Sequence, residues 1–393
     1  MAVRSLLTLV AILMAAPLTG CMAWLGPAEA PPREAGPHPV GVVHVDVEDT
    51  HRGRELPVEV WYPAANRTSG PEAVYQLRTA GITTARLRSR LHAHRNVPAW
   101  RSEGPRPVVL LSHGAGSNRF GNVSLAEVLA SHGYIVAAPD HPGHTTSDRV
   151  FGISDEARAQ SAYDRPLDLT AVLDALERRS HHHGSVLEGT IDMDRVAVAG
   201  HSFGGRAALG MVGARFDGAR QARECADNAE DRRCLTVPIF GAKSYRYRDP
   251  RVKAALLLTP AGFDFYREDG IAEVDAPVLV VGADRDATTP YAEFSRATYR
   301  ALRSESYLLP LEDAGHLTAT DICAVVDSVG FFAKALGGDQ AQDGCGESYL
   351  SNEEALDEVA AAALPFLDLY LEGHTAAQAE LLAALTPAGR HST

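Results

Sequence analysis

Cysteine is scarce in this chain, with five among 393 residues. None pairs with histidines at metal-site spacing, so no zinc or iron–sulfur centre is expected. Four of them, Cys225, Cys234, Cys323 and Cys345, lie in the body of the chain. An even number suggests two disulfides if the protein is exported, and Cys225–Cys234 with Cys323–Cys345 is the economical pairing. Clustered positive charge is also lacking: the formal net charge is −13. That argues against nucleic acid as a partner and against electrostatic attraction to anionic lipid. The apolar run Leu6 to Met14 is too short to span a bilayer. No internal repeat is found, which excludes solenoids and propellers.

What stands at the N-terminus reads as a secretory signal over residues 1–20, with Arg4 its single charge. Its end, Leu18-Thr19-Gly20-Cys21, resembles the bacterial lipobox, which implies that Cys21 is lipidated. Lipid chains would then attach the protein to the envelope membrane without a spanning helix. Residues 21–38 are expected to be a Pro/Ala/Glu-rich tether, 39–373 one domain and 374–393 a tail.

Along the domain, Val42 to Val47 and Leu56 to Tyr62 alternate apolar and polar residues and predict an antiparallel hairpin. Residues 64–105 read as an insertion with a helix around Ile82 to His94. Pro107 to Leu111, Tyr134 to Ala138, Val196 to Ala199, Val252 to Leu258, Pro277 to Val281 and Ser306 to Pro310 read as strands, the apolar ones buried on both faces. Helices are expected at Ser124–His132, 164–179, from Arg206, at Ala292–Arg303, 321–336 and 353–372. Residues 215–250 form a second, irregular excursion. Strands alternating with helices indicate an α/β fold, a mostly parallel sheet with the hairpin at one edge.

The chemistry centres on Gly200-His201-Ser202-Phe203-Gly204, between a Val/Ala strand and a helix. In that context Gly-x-Ser-x-Gly is a nucleophile elbow. The tight turn exposes Ser202 and leaves the Phe203 amide at a helix N-terminus, aimed at a developing oxyanion. A neutral serine needs a base and the base an orienting acid. His316, in a loop after the last strand, is the candidate base; His374 and His391 lie at or beyond the last helix. Asp286, four residues before Pro290, is preferred as the acid over Asp284, with Asp264 third. A second oxyanion donor is expected from the Ala115 amide after His113-Gly114. The run His181-His182-His183 reads as a solvated loop and not a metal site, and Asp140, His141 and His144 as pocket lining or turn supports. Trp61 reads as core.

Gly200 to Gly205, Ser112-His113-Gly114, Ala130 to Ala138 and Leu56 to Pro63 together resemble a group of α/β-hydrolases: the platelet-activating-factor acetylhydrolase-like and predicted dienelactone hydrolase proteins. The likeness runs from about residue 42 to 371. It implies a Ser-Asp-His carboxylic ester hydrolase with neither metal nor organic cofactor, acting on short-chain or lipid-derived acyl esters. True dienelactone hydrolases carry a Cys nucleophile; Ser202 stands here, so ancestry and not that activity is implied. A peptidase on the same fold, or a tethered non-catalytic binding protein, are the alternative expectations.

Overall fold

The computed structural model describes residues 23–24, 35–65, 69–79, 81–226, 230–329 and 342–386. The signal segment, Cys21 and His391 lie outside the described residues. In chain order the strands used below are β1 (Val40–Asp49), β2 (Arg54–Pro63), β3 (Val74–Thr79), β4 (Ile82–Arg88), β5 (His94–Arg95) and β6 (Arg106–Ser112). They continue with β7 (Ile135–Pro139), β8 (Ile191–His201), β9 (Val252–Leu258), β10 (Val278–Ala283) and β11 (Ser306–Leu311).

The main sheet has the order β11-β10-β9-β8-β6-β7-β2-β1-β5. From β11 to β7 every pairing is parallel; β2 joins β7 antiparallel and β1 closes the hairpin in the register Val40↔Pro63 to Asp49↔Arg54. The continuous apolar runs are central because they are covered twice. In β6, Val109 and Leu111 pack with α1 (Val123–Ser131) on one face, while Val108 and Leu110 pack with α2 (Asp155–Ser180) and α3 (Phe203–Met211) on the other. Side chains of this kind stabilise by roughly 1.5–3 kcal/mol each when fully buried. Both core layers therefore grip the strands whose carboxyl ends carry the site. Trp61 is part of this core, its indole N–H donating to Tyr75 Oη at 2.9 Å.

Several expectations are corrected. Ile82 to His94 is not helical: β4 pairs antiparallel with β3, and Ala85 and Leu87 alternate inward from exposed Thr84 and Arg88. The β-branched run Ile82-Thr83-Thr84 favours this extended state. Helix α2 starts at Asp155 and not near 164, capped by Ser154, and runs through Pro166. Its first turns bury only small side chains such as Ala159, Ser161 and Ala162, so no apolar stripe marks them. The described residues of 215–250 form regular elements. A ribbon of Arg215–Asp217 with Ser244–Arg246 brackets helix Gly218–Ala226 and the 3-10 turn Arg232–Thr236. The tail contains a helix, Ala377–Ala384, docked through buried Leu381. Of the described residues within the expected tether, Ala23–Trp24 pair with Ala85 and Arg86, and the Gly36 and His38 amides donate to Ser131. Both expected disulfides are formed, Cys225–Cys234 and Cys323–Cys345.

Candidate active site

β8 ends at His201 and α3 begins at Phe203, so the whole turn is one residue, Ser202. Ser202 takes φ 54° and ψ −114°, a strained conformation for a side chain with a Cβ. The turn is held by the Ser202 amide donating to Leu258 at 3.0 Å, and by its carbonyl accepting from Ala261 at 3.0 Å. Close approach explains the flanking glycines: a Cβ on Gly200 would stand 2.3 Å from the Gly204 backbone, and one on Gly204 1.9 Å from the Ser112 carbonyl oxygen. Strand, elbow and helix cannot close with any larger residue at either place.

The loops after β10 and β11 bring the acid and base together. His316 Nδ1 lies 2.8 Å from Asp286 Oδ2, both side chains buried. Asp286 is itself held by the amides of Thr288 (2.9 Å) and Thr289 (2.6 Å) and by the Thr289 hydroxyl (2.8 Å). A carboxylate held at this many points cannot rotate away from the imidazole. Asp284 is exposed and accepts from the Ala314 amide at 3.1 Å, bracing the turn before His316 instead. Asp264 lines the neighbouring cavity, and His374 is exposed.

Ser202, Phe203, Ala115 and His316 border one cavity of about 500 Å³. Among the described residues, neither the Ala115 nor the Phe203 amide donates to another backbone group. Two free N–H groups beside a serine are what an oxyanion site requires.

The family model described as serine aminopeptidase, S33, matches residues 103–222, which include Ser202. That of TAP-like protein matches 264–335, which include Asp286 and His316. The structure is similar to a ferulic acid esterase from Streptomyces cinnamoneus, with TM-score 0.60 and 26% identity over 88% of this chain and 93% of that one. The chain is a member of the α/β-hydrolase superfamily. Among curated relatives, cutinase 1 of Thermobifida cellulosilytica is 27% identical over 49% of this chain and 53% of its own length. A bis(hydroxyethyl) terephthalate hydrolase of Streptomyces coelicolor is 26% identical, over 56% and 54% respectively. The chain thus spans about half the length of these curated relatives.

Three supporting residues escaped the sequence reading. Asp343 receives the His316 amide on one oxygen (3.2 Å). On the other it takes the amides of Ala287 (3.1 Å) and Thr288 (2.8 Å) and the Thr288 hydroxyl (2.7 Å). One carboxylate therefore ties the acid loop to the base loop. His201, the variable position of the motif, donates from Nε2 to the His316 carbonyl at 2.9 Å, and Thr259 donates to the same oxygen at 3.3 Å. Burial, helped by the nearby His316, pulls the His201 pKa down to about 3, so it stays neutral and keeps one donor for this bond.

The remaining candidates are structural. Buried His141 bridges Asp168 and Ser112, His144 meets Ser161 and Arg165, and Asp140 pairs with Arg119. None of the three borders the cavity, so the pocket-lining alternative for them is set aside. In the triple-histidine run, His183 bonds Glu188 on the exposed loop.

Proposed function

We propose that this hydrolase cleaves carboxylic esters through a serine acyl-enzyme. The observation that carries the reading is the convergence of Ser202, His316 and the Asp286–His316 bond at the carboxyl ends of β8, β10 and β11. Relatives named as cutinase and ferulic acid esterase support it. Ser202 Oγ attacks the ester carbonyl while His316 takes its proton. The amides of Phe203 and Ala115 stabilise the oxyanion, and His316 returns the proton to the leaving alkoxide. Water activated by the same imidazole then attacks the acyl-enzyme, and Asp286 holds the imidazole in one tautomer throughout. A cavity of about 500 Å³ accommodates short to medium acyl groups and fits the short-chain or lipid-derived esters that the group resemblance implies.

One family model bears an aminopeptidase's name, which makes a peptidase the second reading. Recognition of a free amine needs carboxylates, whereas the charged residues on the described cavity wall are Arg149, Arg158, Arg206 and Arg233 against Asp264 alone. That balance favours the esterase. Turnover of p-nitrophenyl esters from acetyl to palmitoyl, beside aminoacyl p-nitroanilides, tests the choice. Ester cleavage with inert anilides is expected, together with fluorophosphonate labelling that Ser202→Ala removes. Labelling that persists in Ser202→Ala would place the nucleophile elsewhere.

We also propose that the enzyme works at the bacterial envelope, anchored by lipid on Cys21, so that esters crossing or lying within the envelope are its substrates. Intact mass of the purified protein checks this. A lipid-bearing Cys21 as first residue is the expected result, and an unmodified N-terminus beyond Cys21 would overturn it.

A further inference from the structure

Hydrolysis at Ser202 makes no demand for a cation, yet one stands beside it. Arg206 lies four residues into α3, and helical side chains lean toward the N-terminal turn, so its guanidinium is directed back to the end of the helix where Ser202 sits. A positive charge there opposes the helix macrodipole. No carboxylate is bonded to it among the described residues. Nη2 is buried and has no hydrogen-bond partner among the described residues. Asp264, the one carboxylate on the described cavity wall, acts on it only at longer range. Burial holds the Arg206 pKa below the usual arginine value, and neighbouring Arg158 pushes the same way against Asp264.

The group is nonetheless fixed in place. Its guanidinium carbon stands 3.8 Å from the centre of the Phe203 ring and 4.9 Å from that of Phe265. Stacking of this kind sets the plane of the fork without using its N–H donors. Gly262, at φ 133°, makes room for the stem, since a Cβ there would meet the Arg206 Cβ and Cγ at 3.2 Å. Arg149, Arg158 and Arg233 line the same wall. A half-buried, oriented guanidinium whose Nη2 lacks a partner among the described residues is stabilised by an anion that enters the cavity.

We propose that Arg206 is an anion-recognition group, and that the preferred substrates are esters carrying a carboxylate a few atoms from the scissile carbonyl. The proposal rests on the esterase reading and names its substrate class. Ser202 and Arg206 line the same cavity, with the guanidinium stacked on the ring of Phe203, the residue next to Ser202. A spacer of a few methylenes between carbonyl and carboxylate therefore suits the site.

The test compares mono(4-nitrophenyl) adipate with 4-nitrophenyl hexanoate, equal in acyl length and different in one terminal carboxylate. With a net charge of −13 the protein as a whole repels the adipate ester, so any preference for it must come from a local site. A charge-assisted bond of ordinary strength predicts kcat/KM about 10- to 100-fold higher for the adipate ester, carried mainly in KM. Arg206→Gln should bring the ratio of the two kcat/KM values to one or below, and Arg206→Lys should retain part of it. Fluorophosphonate labelling of Ser202 in each variant shows that the fold and nucleophile survive. No adipate preference in the wild type, or a preference that Arg206→Gln leaves intact, overturns the anion site while hexanoate cleavage still upholds the esterase. Failure to cleave either ester overturns both.

Discussion

The two disulfides close loops in different parts of the same cavity, and the contrast separates what positions chemistry from what shapes the wall. Cys323–Cys345 spans 22 residues and Cys225–Cys234 spans nine. Loop entropy makes them nearly equal, about 3 kcal/mol each. Their neighbours are not equal. Cys345 follows Asp343 by two residues, so the first bridge holds the carboxylate that joins the Asp286 and His316 loops. The second joins helix Gly218–Ala226 to the turn Arg232–Thr236, whose Arg233, Leu235 and Thr236 line the cavity away from the reacting groups. A covalent link of the same kind thus supports reactivity in one region and selectivity in the other.

The largest effects should fall on the first region. Asp286→Asn should lower kcat by about 10⁴-fold with the fold intact, because an amide cannot hold His316 in the working tautomer. Asp284→Asn keeps an Oδ1 acceptor for the Ala314 amide and removes only an exposed charge, so it should cost about 1 kcal/mol of stability at most. Steady-state kinetics and thermal unfolding on the two variants measure the difference. A reversed pair of results would move the acid to Asp284.

Asp343→Ala should come next. With its bonds to Ala287, Thr288 and His316 gone, acid and base lose their common brace, and a misplacement near 1 Å costs about 100-fold. The loss should appear in kcat with KM little changed, and Asp343→Asn should restore part of it. Normal kcat in Asp343→Ala would show that the brace is dispensable. The paired change Cys323→Ser/Cys345→Ser leaves Asp343 present but less restrained. A drop in kcat of about tenfold is expected, with the unfolding midpoint lowered.

The same contrast explains what was legible in the sequence. Ser202, Asp286 and His316 each sit within a short pattern that follows an apolar strand, so local reading reached them. Asp343 is 27 residues from His316 and 56 from Ala287 along the chain. In Gln342-Asp343-Gly344 it has the look of any turn aspartate, and only tertiary folding reveals its partners. His201 was read as the variable position of a motif although it fixes the base loop. The β3–β4 hairpin is hard to see because each strand offers only two inward apolar residues, Tyr75 and Leu77 or Ala85 and Leu87, among polar neighbours. Arg206 reads from the sequence merely as the start of a helix; that no carboxylate bonds it is a property of the packed cavity and has no counterpart in residue spacing.

The smallest expected effect is in the second region. Cys225→Ser/Cys234→Ser removes a restraint worth about 2–3 kcal/mol on the unfolded chain, so the midpoint of unfolding should fall. The acid–base pair is braced elsewhere, by Asp343 and His201, so kcat on p-nitrophenyl acetate should change by less than about threefold. Leu235 and Thr236, however, stand on the cavity wall next to the freed segment. Loosening that wall should flatten the dependence of KM on acyl length, which is read from the same p-nitrophenyl series. If kcat on the acetate instead fell as far as in Cys323→Ser/Cys345→Ser, the excursion would be coupled to the reacting groups, and the division of labour between the two bridges would not hold.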